Sequence, residues 1–270
     1  MYEQILIKDP KEPYEKAKAF GKQEVFLKKL FRQNYILPSL EKTLNNYNND
    51  FEKKYSFQGF IDPKILYGTV CSNRSYDFSK NFYPIKPFNH GDFGCKWLHV
   101  YNNIPKWIES GNKILVYEFL HKFYVKEGNK RTSVAKFKNL AAIDAYIIRI
   151  IPKKSNDCKI LEYNKFLEFE NKTGISTIWF SNEDKYNELY KIINSFSNNT
   201  NTTNKNKYNN KYNFFEKEIY NPFLKNFRKL KFHDFTYEIG DIFLDYINKI
   251  EINNKLNDKK ITKTIKSCLK

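Results

Sequence analysis

The clearest pattern of apolar and polar residues lies between residues 113 and 151. Residues 113–117 (KILVY) form an apolar run, and residues 123–127 (FYVKE) alternate with the period of two that is typical of a half-buried edge strand. The segment between them is just long enough to turn the first strand back into the second. Residues 145–151 (AYIIRII) suit a strand buried on both faces. The pattern predicts a sheet built on a hairpin.

The junction after the hairpin, residues 123–137, reads FYVKEGNKRTSVAKF. Gly128 permits a sharp backbone reversal, and apolar residues then recur at helical spacing. The first helical turn therefore holds a run of polar residues: Asn129, Lys130, Arg131, Thr132 and Ser133. Because a helix N-terminus attracts anions, this turn fits a phosphate cradle. On its own, the motif fits an ordinary Asn-capped helix with a solvated basic turn better, and the surrounding elements are needed to favour the phosphate cradle.

Weaker patterns predict the remaining elements. Helices are expected over residues 14–30, 41–54, 97–110, 160–171 and 183–196, and strands over residues 55–67 and 177–180. In the first helix Ala17, Phe20, Val25, Phe26 and Leu30 form the face expected to pack on the core, with Gly21 as a weak point. In the helix over residues 160–171, Leu161, Phe166 and Phe169 share a face.

Composition divides the chain into four parts. Residues 1–54 form a helical N-terminal segment, and residues 55–193 form the α+β core. Residues 194–213, dominated by Asn, Thr and Lys, lack the apolar surface to offset the entropy of ordering and are predicted to be a linker. Residues 214–270 form a helical C-terminal module that ends in a basic tail.

The net charge of +17 indicates a polyanionic partner, although the abundance of Lys, Asn, Ile, Tyr and Phe is also what an AT-rich genome encodes. Arginine is more informative, because only five arginines are present where lysine is common. Its planar fork suits bidentate contacts with phosphate. Arg74 and Arg131 are the two that fall in the segments of greatest interest.

Other features narrow the class of protein. The four cysteines are scattered without a C-x-x-C pair, which disfavours a zinc site or a disulfide framework and indicates reduced thiols. His90 and Asp92 lie in one loop, but no second ligand cluster accompanies them, so no metal site is predicted. With neither a signal peptide nor a run of about 20 apolar residues, we expect a cytoplasmic protein with no membrane partner.

The order of strand, hairpin, strand, G-x-[KR]-R, helix and strand resembles the ParB/sulfiredoxin-like nucleotide-binding domain family. Gly128, Lys130 and Arg131 match the G-E-R-R box of ParB proteins. Further segments, at residues 14–24, 35–41, 68–85, 173–181 and 236–247, resemble a mostly clostridial bacterial group with a ParB-like N-terminal region. Some members of that group continue into a basic-membrane-lipoprotein-type domain. The resemblance implies a ParB/sulfiredoxin-like mixed sheet flanked by helical segments.

The resemblance also implies a ligand and a site. The ligand is a nucleotide, CTP or ATP, with Mg²⁺. Its phosphates are held by Gly128, Asn129, Lys130, Arg131, Thr132 and Ser133. The loop GTVCSNRSYDFSKNFYPI, residues 68–85, occupies the place of a ParB stretch beside the nucleotide, so Arg74 faces a phosphate with Asn73 and Ser75 assisting. The alternative for Arg74 is a solvated arginine in a surface loop.

Two departures from the family limit the implied chemistry. Glu170 and Asn171 begin an E-N-x-x-R motif, but its arginine is missing, which weakens triphosphate hydrolysis. Asn129 stands where sulfiredoxin has its reactive cysteine, and Asn supplies no thiolate. We therefore expect a nucleotide-binding switch or DNA-associated module, and whether it turns over nucleotide stays open. The alternative is a nonspecific nucleic-acid-binding protein held by basic charge and exposed aromatics. No helix-turn-helix signature is present.

Overall fold

The computed structural model describes residues 9–47, 51–104, 110–153, 157–197, 211–230, 239–250 and 257–269. Packing divides the chain into two compact units, residues 1–154 and 155–270. The first unit is a mixed sheet with flanking helices, which confirms the α+β class at that level. Residues 157–193, placed in the core by composition, belong to the second unit, and the four-part division stays a prediction.

The first unit contains four helices and five strands in its described residues. The helices are α1 (Glu12–Leu30), α2 (Leu40–Asn45), α3 (Phe93–Asn102) and α4 (Asn129–Phe137). The strands are β1 (Phe51–Ile61), β2 (Leu66–Thr69), β3 (Ile114–Phe119), β4 (Lys122–Glu127) and β5 (Ile143–Pro152). Short 3₁₀ helices, Pro63–Ile65 and Ser72–Tyr76, flank β2.

The strands form one sheet in the order β1-β5-β3-β4-β2. The β1–β5 and β3–β4 pairs are antiparallel, whereas β5–β3 and β2–β4 are parallel. The hairpin, the glycine turn, α4 and β5 follow in the order that the pattern predicts. The expectation that residues 123–127 form an edge strand is wrong, because β2 pairs along β4 and leaves Tyr124 only 1% exposed.

The register shows which side chains share a face of the sheet. Val116 pairs with Val125 and with Ile147, and all three are fully buried. On the other face Tyr124 packs in a cluster with Leu40 and Leu44 of α2. Helices therefore cover this sheet through large apolar side chains, but not everywhere. Tyr146 of β5 is 37% exposed, so the expectation that this strand is buried on both faces holds only in part.

Trp97 joins three helices of the first unit. Its ring is fully buried and lies 5.5 Å from the Tyr14 ring of α1 and 5.7 Å from the Phe137 ring of α4. Its indole Nε1 donates a hydrogen bond of 2.8 Å to Ser133 Oγ. Buried aromatic side chains of this size dominate core energetics, and the indole N–H needs such an acceptor. The helix that carries Lys130 is thereby fixed to α3 and α1.

Gly21 has a role opposite to the predicted one. It is buried within α1, and a Cβ placed there would lie 2.5 Å from the Pro84 carbonyl oxygen. The glycine therefore allows α1 to approach the 79–85 loop closely. Beyond Gly21 no residue of α1 is buried, so the expected packing of Phe26 and Leu30 on the core does not occur.

Several predicted boundaries are wrong for identifiable reasons. The polar helix over residues 41–54 ends at Asn45, and β1 already begins at Phe51. The single strand over residues 55–67 is two strands, because Pro63 starts a 3₁₀ turn between them. Residues 177–180 are irregular rather than a strand, and the helix expected from residue 97 begins at Phe93.

The second unit is helical in its described residues. Its helices are α5 (Cys158–Thr173), α6 (Asp184–Ser197), α7 (Lys211–Phe215), α8 (Asn221–Lys229), α9 (Ile239–Lys249) and α10 (Asp258–Cys268), with a π-helical turn at Glu216–Tyr220. Phe223 of α8 and Phe243 of α9 form its aromatic centre, with ring centroids 5.0 Å apart. Leu161 is 44% exposed and does not share the buried face of α5. Of the predicted linker, residues 198–210 lie outside the described residues.

An ion pair is buried at the hairpin end of the sheet. Arg149 Nε of β5 donates to Glu118 Oε2 of β3 at 2.6 Å, and the two side chains are 11% and 4% exposed. Glu118 Oε1 also accepts the backbone N–H of His121 at 2.9 Å. Leu120 and His121 both have positive φ, 49° and 60°, as a tight hairpin turn of this kind requires. The carboxylate thus connects β5 to the turn between β3 and β4.

Removing one partner of this pair should be costly. We expect Arg149→Met to lower the free energy of unfolding by about 3–5 kcal/mol, since it leaves the Glu118 charge buried and uncompensated. The double variant Glu118→Leu/Arg149→Met should recover most of the loss. Urea unfolding measures both changes. Lys96→Met, which breaks the exposed pair with Asp92, is the control and should cost less than about 1 kcal/mol. Equal losses in the two single variants would contradict a special role for the buried pair.

His121 should make the stability of the first unit depend on pH. Burial, and secondarily the Arg149 charge, lowers the pKa of His121 to about 3. The unfolded chain, with a His pKa of about 6.5, binds a proton that the folded chain does not between these values. Stability should therefore fall as pH drops from about 6.5, by up to about 1.4 kcal/mol per pH unit from this residue.

The variant His121→Asn isolates that contribution, because Asn tolerates the left-handed backbone and does not titrate. The difference in unfolding free energy between the variant and the wild type should grow in favour of the variant from pH 7 to pH 4. Parallel pH profiles of the two proteins would rule out the effect.

Candidate functional site

Gly128 makes the turn on which the candidate site is built. Its φ of 97° and ψ of 23° are left-handed, and α4 begins at the next residue. A Cβ at this position would lie 2.4 Å from Ile114 Cγ2, in addition to the strain that a positive φ causes. Both the conformation and the space therefore require glycine here. The predicted strand, glycine turn and helix are confirmed as local structure.

Arg131 is directed to the backbone rather than away from the protein. Its Nη1 donates to the carbonyl oxygens of Asn112 and Lys113, the latter at 3.1 Å. Burial lowers the pKa of the Arg131 guanidinium, and nearby Glu127 opposes that shift. The arginine connects the first turn of α4 to the segment that enters β3. The contact of Arg131 with a phosphate stays a prediction. In this structure one nitrogen of its guanidinium group, Nη1, already donates to the backbone.

Lys130, the other cation of this turn, has a different environment from Arg131. It is partly buried, and its Nζ lies 4.6 Å from the centre of the Phe93 ring, a cation–π contact. Burial, and then the positive charge of Arg74, lowers the pKa of Lys130, whereas Asp92 and Asp77 raise it. Within the described part of the chain no carboxylate lies within 4.0 Å of Lys130 Nζ to form an ion pair. The lysine is thus a desolvated cation without a direct counter-ion.

Arg74 approaches Lys130 from another element. It lies on the 3₁₀ helix Ser72–Tyr76, its side chain is 55% exposed, and its Nη1 is 3.1 Å from Asp77 Oδ2. The positive charge of Arg74 contributes to lowering the pKa of Lys130, although the two residues are 56 positions apart in the sequence. Asn73, expected to assist, is exposed.

Buried oxygens without partners accompany these cations. Thr132 is fully buried and Ser75 is 1% exposed, yet neither hydroxyl oxygen has a hydrogen-bond partner among the residues that the structure describes. Asn129 Oδ1, also shielded from solvent, lacks one as well. Such atoms are uncommon in native proteins, because an unsatisfied buried polar group costs about 1–3 kcal/mol. They lie on the two elements that carry Lys130 and Arg74.

Ser133 has a different role from the predicted one. It is fully buried, and its Oγ accepts the hydrogen bond of Trp97 Nε1. The hydroxyl is oriented by the core of the unit and fixes α4 in place. The predicted first turn still holds polar groups that have no direct partner among the described residues. These groups belong to Asn129, Lys130 and Thr132.

Sequence reasoning missed the carboxylates and the ring that shape this site. Asp77 holds Arg74, Asp92 pairs with Lys96, and the Phe93 ring lies beneath Lys130. Only tertiary contacts reveal these roles, although Asp77 lies within the 68–85 segment and Asp92 was considered as a metal ligand. Among the described residues, no group of three or more His, Cys, Asp or Glu side chains is placed to hold a metal ion. In those same segments no helix is both long and apolar enough to cross a bilayer.

The contrast between the two neighbouring cations can be tested by stability. Arg131→Met should lower the free energy of unfolding by about 1–3 kcal/mol, because it leaves two carbonyl groups without their donor. Lys130→Met should leave stability unchanged or raise it slightly, since it removes a desolvated charge that has no direct counter-ion. Chemical denaturation of the two variants measures the difference. The same loss in both would contradict the structural use of Arg131.

The chain was compared with family models, curated proteins and solved structures, and no match was found in any of the three. The ParB/sulfiredoxin resemblance therefore stays a hypothesis, and the function rests on the chemistry of these residues.

Proposed function

We propose that the first unit binds the phosphate group of a nucleotide at the turn formed by Gly128, Asn129 and Lys130. The observation that carries the proposal is Lys130, a partly buried cation that has no carboxylate in ion-pair contact among the described residues. Burial and the positive charge of Arg74 both disfavour the charged form of Lys130, and an anion bound beside it would offset them. A phosphate between Lys130 and Arg74 would neutralise both.

The helix start supports the same ligand. The backbone N–H groups in the first turn of α4 have no intrahelical acceptor. They lie at the positive end of the helix dipole, which attracts anions. Thr132 Oγ1 belongs to a hydroxyl that can donate a hydrogen bond once a ligand or a water reaches it. These groups form a donor-rich site suited to a phosphate.

A nucleotide is proposed over a bare phosphate because the element order agrees with the ParB/sulfiredoxin resemblance. CTP and ATP are the nucleotides that the resemblance implies, and a switch or DNA-associated module is the role. Mg²⁺ in such sites takes one or two carboxylates together with phosphate oxygens. Asp77 and Asp92, which both act on the Lys130 charge, are the carboxylates that would hold it. The missing arginine after Glu170 and Asn171 gives no support for hydrolysis.

Nucleotide binding should depend on the two cations. We expect Lys130→Met and Arg74→Met each to weaken binding about ten- to a hundredfold, since a hydrogen bond to a charged group contributes about 1.5–3 kcal/mol. Their effects should be non-additive if both contact one phosphate. Calorimetry with CTP, ATP and GTP, with and without Mg²⁺, measures the affinities. Lys138→Met is the matched control, because it removes an exposed lysine that directly follows the same helix.

Three outcomes have distinct meanings. Binding that survives both substitutions would place the ligand elsewhere. Loss of binding in Lys138→Met as well would indicate a nonspecific effect of net charge. A wild-type protein that binds none of the three nucleotides would overturn the proposal.

Nonspecific nucleic-acid binding is the second candidate, and the charge distribution favours it. Residues 1–154 contain 27 Lys and Arg against 15 Asp and Glu, a formal +12, whereas residues 155–270 contain 20 against 15, a formal +5. A polyanion should therefore be attracted mainly to the first unit. Its affinity for duplex DNA would fall linearly with the logarithm of salt concentration, with a slope of about −0.9 per phosphate contact. In this case Lys130→Met and Lys138→Met should weaken binding equally.

A further inference from the structure

The second half of α1 leaves the body of the first unit. Tyr14, Ala17 and Gly21 are its buried residues, and they all lie in the first ten positions of the helix. From Lys22 to Leu30 every side chain is exposed or only partly covered. Residues 22–31 therefore form an arm, held by the packing of residues 14–21 against the rest of the unit.

The arm presents apolar side chains to solvent. Phe26 is 65% exposed, Leu30 is 63% exposed and Phe31, which follows the helix directly, is 67% exposed. Phe20 and Leu27, at 50% and 42%, extend the same surface. At 100° per residue the four helical members span about 120° of the helix surface, on the side opposite the buried Tyr14 and Gly21, and Phe31 follows the last turn. We call this surface the α1 stripe. At about 150–250 Å² for each whole aromatic side chain, these exposed fractions give a surface comparable to the largest apolar patch of a typical monomer, which is often functional.

The charges beside the stripe are of one sign. Lys22, Lys28, Lys29 and Arg32 accompany it, and the sequence has no acidic residue from Val25 to Arg32. Glu24, the one carboxylate within the arm, turns inward, where its Oε2 accepts from Ser79 Oγ at 2.6 Å and from the backbone N–H of Asn81 at 3.3 Å. The arm is therefore apolar along one side and cationic along its flanks.

From this arrangement we infer that the α1 stripe binds the surface of an anionic lipid bilayer. A helix with Phe and Leu on one face and Lys and Arg on its flanks lies in the plane of the interface, with the apolar face below the headgroups and the cations among them. The arm is a single convex ridge, which a fluid bilayer can accommodate without a preformed groove. This binding is peripheral and requires no membrane-spanning helix, but it departs from the expectation, drawn from the sequence, that the chain has no membrane partner.

The positive charges of the arm argue against a second copy of this chain as the partner that covers the α1 stripe. Two α1 stripes packed together would bring two sets of Lys22, Lys28, Lys29 and Arg32 to one interface without carboxylates from either arm to balance them. Like charges placed together oppose association, whereas anionic headgroups remove that cost. The excess positive charge of residues 1–154 acts in the same direction.

The test uses the full chain and extruded vesicles, either of phosphatidylcholine alone or with phosphatidylserine added at about one third of the lipid to give an anionic surface. Cosedimentation should show binding to the anionic vesicles that weakens as salt is raised, and at least tenfold weaker binding to the neutral ones. Phe26→Ser/Leu30→Ser/Phe31→Ser should lower partition to anionic vesicles at least tenfold. Phe60→Ser is the matched control, because Phe60 lies on β1 and is 70% exposed; it should bind as the wild type does.

Every other outcome overturns the inference. These are absence of wild-type binding to anionic vesicles, equal loss in Phe60→Ser, and a dimer by light scattering that the triple variant converts to a monomer. Slow hydrogen exchange of residues 22–31 in a lipid-free monomer would also overturn it, by showing that the chain covers its own stripe. Thermal unfolding checks that the triple variant is folded. Its nucleotide affinity should be unchanged, so failure here and failure of the phosphate site are distinguishable.

Discussion

The close approach of Gly128 to Ile114 is the constraint on which the first unit depends. Ile114 begins β3 and Gly128 follows β4, so the contact closes the open end of the hairpin. Only a residue without a Cβ permits it, and only a left-handed backbone then directs the chain into α4. The hydrogen bonds of Arg131 to the carbonyl oxygens of Asn112 and Lys113 hold the same junction from the helix side. The direction of α4, and with it the position of Lys130, follows from this junction.

From α4 the constraint extends outward through side chains of the core. Ser133 accepts the indole hydrogen bond of Trp97, and the Trp97 ring contacts both Tyr14 and Phe137. Helices α1, α3 and α4 therefore move as one packed group if they move at all. Phe93, which lies beneath Lys130, begins the same α3 that carries Trp97. The environment of the proposed phosphate site is thus set by the core, and the site is preorganised rather than assembled from loops.

The local order of the hairpin, the glycine turn and the helix could be predicted from the sequence, because each element there has a clear period and a strong punctuating residue. Prediction failed where tertiary pairing overrides local preference. Residues 46–54 are polar enough for a helix, yet β1 starts at Phe51 because β5 offers it ten residues of antiparallel pairing. Tyr124 belongs to a segment that looked like an edge strand, and β2 pairs with it through Gly68, which lies 56 residues earlier in the chain.

The candidate residues could be named from the sequence, but their contacts could not. Composition and position indicated that Arg74, Lys130 and Arg131 matter, because basic residues at a helix start are visible in the sequence. Which of two adjacent cations turns toward the backbone depends on the carbonyl groups of residues 112 and 113, and no periodicity encodes that. The buried hydroxyls of Ser75 and Thr132 are likewise visible only once the packing is known. The α1 stripe is a similar case, since its apolar spacing predicted burial that the fold does not provide.

The outer position of β1 has a consequence for how the sheet is made. Its register pairs Phe51 with Pro152, so the two ends of that contact are 101 residues apart in the chain. Contacts between residues so far apart in the chain form slowly, because a long loop must lose entropy by closing before any of these contacts can stabilise the fold. On a ribosome, β1 is synthesised well before β5 exists, and its backbone donors and acceptors stay open through that interval. The first residues of β1 include three charged ones, Glu52, Lys53 and Lys54. Charges at such a position discourage pairing with other nascent chains. The charges of β1 therefore act before the sheet has formed, by keeping the unpaired strand from associating with other chains.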